Sequence, residues 1–368
     1  MAPIRVGLIG LSSSHTSGQG VGVWASVAHL PHLLSSPIYE IVALSNSSVE
    51  AAQKAILHYK LPAETKAYGS PEDLANDPDV DLVVVCVVVM KHFELLKPAL
   101  LAKKDVFVEW PLGSSLAQAE ELTSLARKNG VKTIVGLQSR ADSLVNKVKE
   151  VISQGKIGKV VSSYAIGSTS AVPSDFWFEG GEYYLDFKSG GNLFTIHFGH
   201  FLDSFTDVLG EFADVQSILK NTIPTLPILG ADGQVKDPKY PKTAPDHIVI
   251  QGTLKSGAIA SLSYRTVKST ADGIGINWII SGTKGEIQIT TPESNWQMSD
   301  PKRKLRLRVG NEGPVEIDFL RREEKDSILT DRRSINVAAM YEAFAIDDEA
   351  HYATFDSALR THILLEEI

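Results

Sequence analysis

The chain of 368 residues contains a single cysteine, Cys86, set in a valine-rich run. One thiol excludes an internal disulfide and any cysteine-based metal cluster, and among valines it reads as a small buried core residue. Long apolar runs are also missing. The longest, Leu82 to Met90, falls far short of the roughly 20 residues that cross a bilayer. There is no excess of positive charge. The formal net charge of −8 repels phosphate backbones, so nucleic acid is not an expected partner. No signal peptide, internal repeat or low-complexity tract is visible, and cytoplasm is the expected compartment, with the nucleus left open. What is present is an ordinary globular composition, 43% hydrophobic and 22% charged, at a length that suits two domains rather than one core.

Short apolar runs alternate with helical patterns through the first part of the chain. Strands are expected at Ile4–Gly10, Ile41–Ser45, Thr65–Tyr68, Leu82–Val89, Val106–Glu109 and Thr133–Leu137. Helices are expected at Ala25–Leu34, Glu50–Tyr59, Pro71–Asn76, His92–Ala102 and Leu116–Asn129. Ser70 and Pro71 mark one helix start, and Gly130 marks one helix end. Runs that are apolar on both faces suit a buried parallel sheet, so residues 1–139 read as a doubly wound α/β dinucleotide-binding domain. Beyond a helix at Val145–Gln154, strands follow one another through short turns from Val160 to Thr290, which implies antiparallel pairing. Residues 140–368 therefore read as an α+β domain with a large open, mostly antiparallel sheet, which serves substrate binding and oligomerisation. A helical stretch, Gly190–Leu209, interrupts it, and Tyr341–Ile368 returns to helix; its last part, 354–368, is free to pack back on the first domain. The cations of Lys302–Arg308 alternate from Lys304 onwards, as on the solvated face of a strand.

The turn after the first strand is where such a fold holds a pyrophosphate. Here it reads Gly10-Leu11-Ser12-Ser13-Ser14-His15, with Ser12 where the fingerprint G-x-G-x-x-G has its second glycine, and a polar insertion through Gly18, Gly20 and Gly22 follows. The second strand ends Ser45-Asn46-Ser47 instead of in the carboxylate that accepts from an NAD ribose. No carboxylate there repels a 2′-phosphate, which favours NADP and leaves NAD open.

The stretches Val6-Gly7-Leu8-Ile9-Gly10, Cys86 to His92, Glu109-Trp110-Pro111, Gly136 to Arg140, Gly155-Lys156-Ile157-Gly158, Gly282-Thr283-Lys284-Gly285 and Asp356 to Arg360, in that order and spacing, resemble the glucose–fructose oxidoreductase/inositol dehydrogenase (Gfo/Idh/MocA) family over almost the whole chain. Ser153 to Gly158, Phe198-Gly199-His200 and Pro245-Asp246-His247, together with the tryptophan at 110, resemble the branch that contains the yeast galactose-pathway repressor. The family implies hydride transfer between a nicotinamide nucleotide and a sugar-like substrate. The branch implies a nucleotide-binding regulator with a protein partner. In the family a Glu-Lys-Pro lysine lies near the nicotinamide and a later Asp-x-x-x-His supplies an acid/base histidine. This chain has Trp110 in place of the lysine and Ile196 in place of the aspartate, and it retains His200.

Candidate catalytic residues are thus His200 as general acid/base, Lys91 as a replacement amine, and Trp110, whose ring can shape the pocket or stack on a nicotinamide or sugar. His200 read blandly is a helix-buried histidine satisfied by Asp203 or backbone, and Lys91 a solvated lysine. Candidate cofactor contacts are Gly10, Leu11, Ser12, Ser13 and His15, then Ser45, Asn46 and Ser47, then Val87 and His92, then Glu109 and Trp110, and finally Gln138. Candidate substrate contacts are Arg140, Trp177, Tyr183, His197 and His200. The aromatic segment Phe176–Lys188 reads as a sugar-binding lid or as a loop packed on the sheet or at a subunit interface, and Arg140 reads equally as a holder of a substrate oxygen or phosphate or as an interdomain salt-bridge residue. His197 and His200 lie three apart, on one helix face, but no further ligand motif accompanies them and no metal is expected. Three functions remain open: an NAD(P)-dependent oxidoreductase on a sugar or polyol, a catalytically silent regulator, and a non-redox enzyme that keeps a nucleotide site. An open sheet usually hides one face against a partner, so a homodimer or higher homo-oligomer is expected.

Overall fold

Backbone pairing sets out two sheets that carry the chemistry. The structure is a computed structural model and describes residues 2–13, 23–170, 172–320 and 331–368; His15 and the Gly18, Gly20 and Gly22 insertion lie outside the described residues. The chain divides into one unit of Met1–Gln138 with Ile328–Ile363 and another of Ser139–Ser327 with Leu364–Ile368. The first unit therefore includes residues 328–363, of which the sequence reading had offered only those from 354 onward to the first domain.

In the first unit six parallel strands lie in the order β3-β2-β1-β4-β5-β6: β1 Ile4–Ile9, β2 Tyr39–Ser45, β3 Lys66–Tyr68, β4 Leu82–Val85, β5 Asp105–Glu109 and β6 Thr133–Gly136. Val6, Leu8, Leu82 to Val85 and Val106 to Val108 are fully buried, as a sheet covered on both faces requires. Crossover helices α1 Leu30–Ser35, α2 Val49–Tyr59, α3 Pro71–Ala75, α4 His92–Leu101 and α5 Leu116–Asn129 connect the strands. Ser48, Ser70 and Ser115 cap α2, α3 and α5 by accepting from backbone N–H groups of the first turn, and Gly130 closes α5 in the left-handed region. A strand to Val89 was expected, but β4 stops at Val85. There the ladder with β1 ends, and Val89–Lys91 is already a 3₁₀ turn leading into α4.

The second unit opens with α6, Ser143–Ser153, capped by Asp142, and has α7 at Gly199–Leu209, preceded by a π-helical turn, Phe194–Phe198. Its strands are β7 Val160–Thr169, β8 Trp177–Phe178, β9 Phe212–Lys220, β10 Thr225–Leu229, β11 Val235–Pro241, β12 His247–Leu254, β13 Ile259–Thr266, β14 Ile276–Gly282, β15 Gly285–Thr291, β16 Lys304–Val309 and β17 Val315–Glu316. Eight of them form one sheet, β17-β16-β15-β14-β7-β13-β12-β9, antiparallel except where β7 pairs with β13. One face buries Ala165, Leu262, Tyr264, Trp278, Ile280, Ile287 and Ile289. On β16 the buried Leu305 and Leu307 alternate with exposed Lys304, Arg306 and Arg308. Arg303, one residue earlier, turns inward to a 2.6 Å ion pair with fully buried Asp142.

The segment with aromatic residues 176–188 contributes β8 to a small sheet, β11-β10-β8. Leu185 packs there with Leu226, Ile228 and Trp177. The strands of this small sheet were not anticipated, because β10 and β11 contain Pro227, Pro238 and Pro241, which argue against strand on composition alone. The C-terminal part holds α8, Arg332–Ala345, and α9, Phe355–Glu367, instead of one continuous helix; Asp347, at φ +60°, falls in the break.

Candidate functional site

Gly10 leaves β1 at φ +103°, a region that disfavours side chains, and a Cβ there would lie 2.4 Å from the Cys86 carbonyl oxygen. Its N–H donates to the Ser45 carbonyl at 3.2 Å. Asn46 donates to the Leu11 carbonyl at 2.8 Å, and Tyr59 donates to that of Ser12 at 2.7 Å, so the end of β2 and helix α2 hold the turn after β1. Ser13 is half-buried, Ser45 is buried and Ser47 is exposed. Gly10, Leu11, Ser12, Ser45 and Asn46 are thus brought together at the carboxyl ends of adjacent strands, where this topology binds ligands. Glycine at 10 lets the chain turn tightly against the Cys86 carbonyl and Val87 at the strand end where a dinucleotide pyrophosphate would be held.

Two strands further along, the Glu109 side chain is buried in a hydrogen-bonded chain. One carboxylate oxygen lies 2.8 Å from His29 Nε2 and the other accepts from the Gln138 amide at 2.8 Å. His29 Nδ1 lies 2.9 Å from the Tyr341 hydroxyl, and Tyr39 donates to the Tyr341 carbonyl at 2.6 Å. A Cβ on Gly136 would meet the Glu109 carboxylate at 2.5 Å, so glycine there makes room for this side chain. Gln138 Oε1 is buried with no hydrogen-bond partner among the described residues. The sequence marks Glu109 and Gln138 but gives no sign of His29 and Tyr341. The usable signal was the carboxylate at the end of a buried strand, which must find a donor inside the core.

Trp110 is 5% exposed and its ring meets that of His362 on α9, centroids 4.7 Å apart. His362 was not singled out from the sequence; burial pushes its pKa down to about 4, and its Nε2 has no partner among the described residues. His92 lies between two carbonyl oxygens, Pro111 at 2.7 Å from Nδ1 and Val87 at 3.1 Å from Nε2, and so joins the loops after β4 and β5. Burial lowers its pKa and the two carbonyls oppose that shift. Lys91 stands apart from this group, exposed and ion-paired with Glu94 at 2.8 Å.

In the second unit His200 is 5% exposed at the start of α7. Burial, with His197 nearby, pushes its pKa down to about 3, and Nδ1 has no partner among the described residues. Asp203, one of the expected partners, instead binds Arg140 through two bonds of 2.9 and 2.7 Å. Arg140 also reaches Asp207 at 3.2 Å, and Lys149 reaches Asp207 at 2.9 Å. The guanidinium is thus engaged inside the unit. His197 Nδ1 lies 2.5 Å from the Tyr184 hydroxyl, and Asn295 also hydrogen-bonds its ring. Trp177 stacks on Tyr184 at 5.0 Å, so that face is covered, while Tyr183 is half-buried beside Tyr184 at 6.4 Å. Tyr184 and Asn295 are the members of this cluster that were not named as site residues. Asn295 borders a cavity of about 170 Å³ lined with Ser168, Ser170, Ser269, Thr270 and Glu293. Asp246 is structural: it accepts from the N–H groups of Thr222 and Ile223, from Lys242 and from His247, which holds its carboxyl well below the usual range against the opposing effect of burial.

Residues 4–137 match the model described as "Oxidoreductase family, NAD-binding Rossmann fold", and residues 143–291 match that of the "Gal80p, C-terminal domain". The dehydrogenase aclE of Aspergillus oryzae is 30% identical over 99% of this chain and 95% of its own length. The chain belongs to the Gfo/Idh/MocA oxidoreductase family. Another relative in this family is the galactose/lactose metabolism regulatory protein GAL80 of Saccharomyces cerevisiae, 32% identical over 78% of this chain and 67% of that protein. The solved structure of a super-repressor mutant of Gal80p from Saccharomyces cerevisiae superposes with a TM-score of 0.86 at 26% identity, covering 100% of this chain and 95% of that one. Both the Gfo/Idh/MocA fold and the likeness to the repressor branch thus match the resemblance read from the sequence.

Proposed function

We propose that the protein is an NAD(P)-dependent oxidoreductase acting on a CH–OH group of a sugar or polyol. The observation that carries this reading is His200: a buried, neutral imidazole with an unpartnered nitrogen, next to a Tyr184–His197–Asn295 hydrogen-bonded series that borders a hydroxyl-lined cavity. The nicotinamide, when bound, supplies or takes up the hydride. Within the first unit the turn after β1 at Gly10 suits its pyrophosphate, and within the second unit His200 is the side chain suited to exchange a proton with a substrate hydroxyl. Neutral hydroxyls and one carboxylate along the cavity suit a ligand rich in hydroxyl groups. The dehydrogenase aclE, alike over nearly full length, supports turnover. NADP is favoured over NAD by the absence of a carboxylate among Ser45, Asn46 and Ser47.

A second reading is a nucleotide-binding regulator with a protein partner. It is favoured by Trp110, which packs on His362 where the family resemblance calls for an amine, by Lys91 standing in solvent, and by the likeness to GAL80. Fluorescence titration with NADPH and NADH, followed by a sugar and polyol panel read by nicotinamide absorbance, separates the two. The expected outcome is binding with turnover, and a loss of about 10²–10⁴-fold in kcat for His200→Asn with nucleotide affinity kept. Binding without turnover on any panel member would move the conclusion to the regulator.

A further inference from the structure

The loop after β15 is fixed at three points. The Ser294 carbonyl accepts from the buried Tyr264 hydroxyl at 3.0 Å, and Thr291 donates to the Glu293 carbonyl. A Cβ on Gly275 would meet the Glu293 backbone at 2.4 Å, so glycine lets the chain before β14 lie against this loop. Glu293, Ser294 and Asn295 then line the cavity of about 170 Å³ together with Ser168. Ser170, Ser269 and Glu293 of the lining are exposed, so the cavity opens to solvent. Sites that engulf drug-sized ligands hold about 300–1,000 Å³, so this one takes a single small ring or a short chain.

The hydrogen bonds behind the loop run toward the cavity. Burial keeps the Tyr184 hydroxyl protonated, and it donates to His197 Nδ1 at 2.5 Å. Burial also pushes the His197 pKa down to about 4, so the ring is neutral and its one proton sits on Nε2. The bond to Asn295 opposes that shift, as an acceptor for the ring N–H does, so the Asn295 amide oxygen faces the ring. The amide nitrogen is thereby turned to the Glu293 carboxylate, 3.5 Å from Oε2. That separation is long for a direct bond. It suits a hydroxyl oxygen about 2.8 Å from each, which donates to the carboxylate and accepts from the amide. Beside them Ser294 is 3% exposed, and its Oγ has no hydrogen-bond partner among the described residues. A buried hydroxyl without a partner is costly, and it is retained where a partner arrives. The described lining has one carboxylate and no cation. Arg265 donates its Nε–H to Ser168 Oγ at 3.2 Å, which leaves the Ser168 hydroxyl proton for a ligand.

We propose that Glu293, Ser294 and Asn295 form a subsite for two neighbouring hydroxyl groups of an uncharged sugar or polyol, one bridging Asn295 and Glu293 and the next bonded to Ser294, and that Tyr184 and His197 are positioning residues that hold the Asn295 amide in the donating orientation. A phosphate or carboxylate on the ligand meets the Glu293 charge and is rejected. The assignment rests on the reading above only in taking the bound polyol as the substrate; the binding itself stands under either function.

The test titrates the full chain with D-glucose, D-galactose, D-mannose, D-glucitol and myo-inositol by ligand-observed nuclear magnetic resonance, which reads weak affinities. A ligand that binds is then compared with its monodeoxy derivatives and with its uronic acid or phosphate counterpart. Loss of either of two adjacent hydroxyls is expected to weaken binding roughly 10-fold, and the anionic counterpart is expected to bind more weakly still. Glu293→Gln, at an exposed position that tolerates the change, is expected to weaken the parent ligand roughly 10-fold and to relax the rejection of the anion. His197→Leu is expected to lose the discrimination against the deoxy ligands, and His197→Gln, which keeps an N–H for the Asn295 oxygen, to restore it. Failure of every panel member to bind, tighter binding of the anion, or affinities unchanged in Glu293→Gln would overturn the subsite. Turnover of a sugar with an unchanged KM in Glu293→Gln would overturn the subsite and leave the oxidoreductase reading standing. Binding with the expected pattern but no turnover would support the subsite and overturn that reading instead.

Discussion

Three buried histidines, His32, His200 and His362, have pKa values pushed down by burial to about 4, 3 and 4. Unfolded, each returns to about 6.5. The unfolded chain thus binds more protons below pH 6.5, so the stability these groups contribute is present above that pH and is lost as pH falls toward their folded values. Each is expected to remove up to about 2 kcal/mol by pH 5. Denaturation midpoints measured between pH 7.5 and 5 should fall steeply, and His362→Gln should flatten part of the slope. A flat profile would mean that water already reaches these rings. Asp246 acts in a separate, lower window, since its depressed pKa matters only below about pH 4. At this scale the sequence showed which residues were chemically capable but not which were engaged. Arg140 read equally as an anion holder or an interdomain salt-bridge residue, yet its partners Asp203 and Asp207 lie within its own unit, on a helix more than sixty residues away. Trp110 looked like a platform for a ligand, yet its ring meets His362, more than two hundred residues on. Nothing local encodes such pairings.

Elements were far more legible, because their causes are local. The parallel strands announced themselves as runs apolar on both faces, and Ser70 and Gly130 marked helix ends, while the caps Ser48 and Ser115 came only with the structure. The failures have equally local reasons. The run Leu82–Val89 is uniformly apolar, but pairing with β1 ends at Val85, and no residue in the run signals that exit. The turn after β1 is an element whose geometry depends on one residue. Gly10→Ala forces a side chain into φ +103° against the Cys86 carbonyl oxygen. A loss of about 1–3 kcal/mol is expected in a thermal or chemical melt, together with weaker nucleotide binding in the same titration used for the wild type. Unchanged nucleotide affinity in a folded Gly10→Ala protein would place the pyrophosphate elsewhere.

The eight-stranded sheet leaves one face uncovered within its own unit, and that face is not uniformly polar. Tyr164, Ile166, Ile218 and Ile259 are each about half exposed on it or more, at 48%, 52%, 65% and 57%. Its registered rows are also asymmetric in charge. One row runs Asp214, Thr253, Ile259, Ser162, Ser281, Glu286 and Arg308, with an anion at the β9 end and a cation at the β16 end. A two-fold axis parallel to the strands lays each end of such a row over the opposite end of the same row in a second copy, Asp214 over Arg308, and sets the half-exposed Tyr164 and Ile166 of the central strand β7 near the axis. A second copy of the chain is therefore the occupant that this face fits, and a homodimer is the expected state. Sedimentation of the purified protein should give twice the chain mass, and Ile166→Glu, which sets a charge in the middle of the apolar rows, should give a folded monomer that keeps its far-ultraviolet circular dichroism. A wild-type monomer at micromolar concentration, or an Ile166→Glu protein that remains dimeric, would show that the face serves some other purpose.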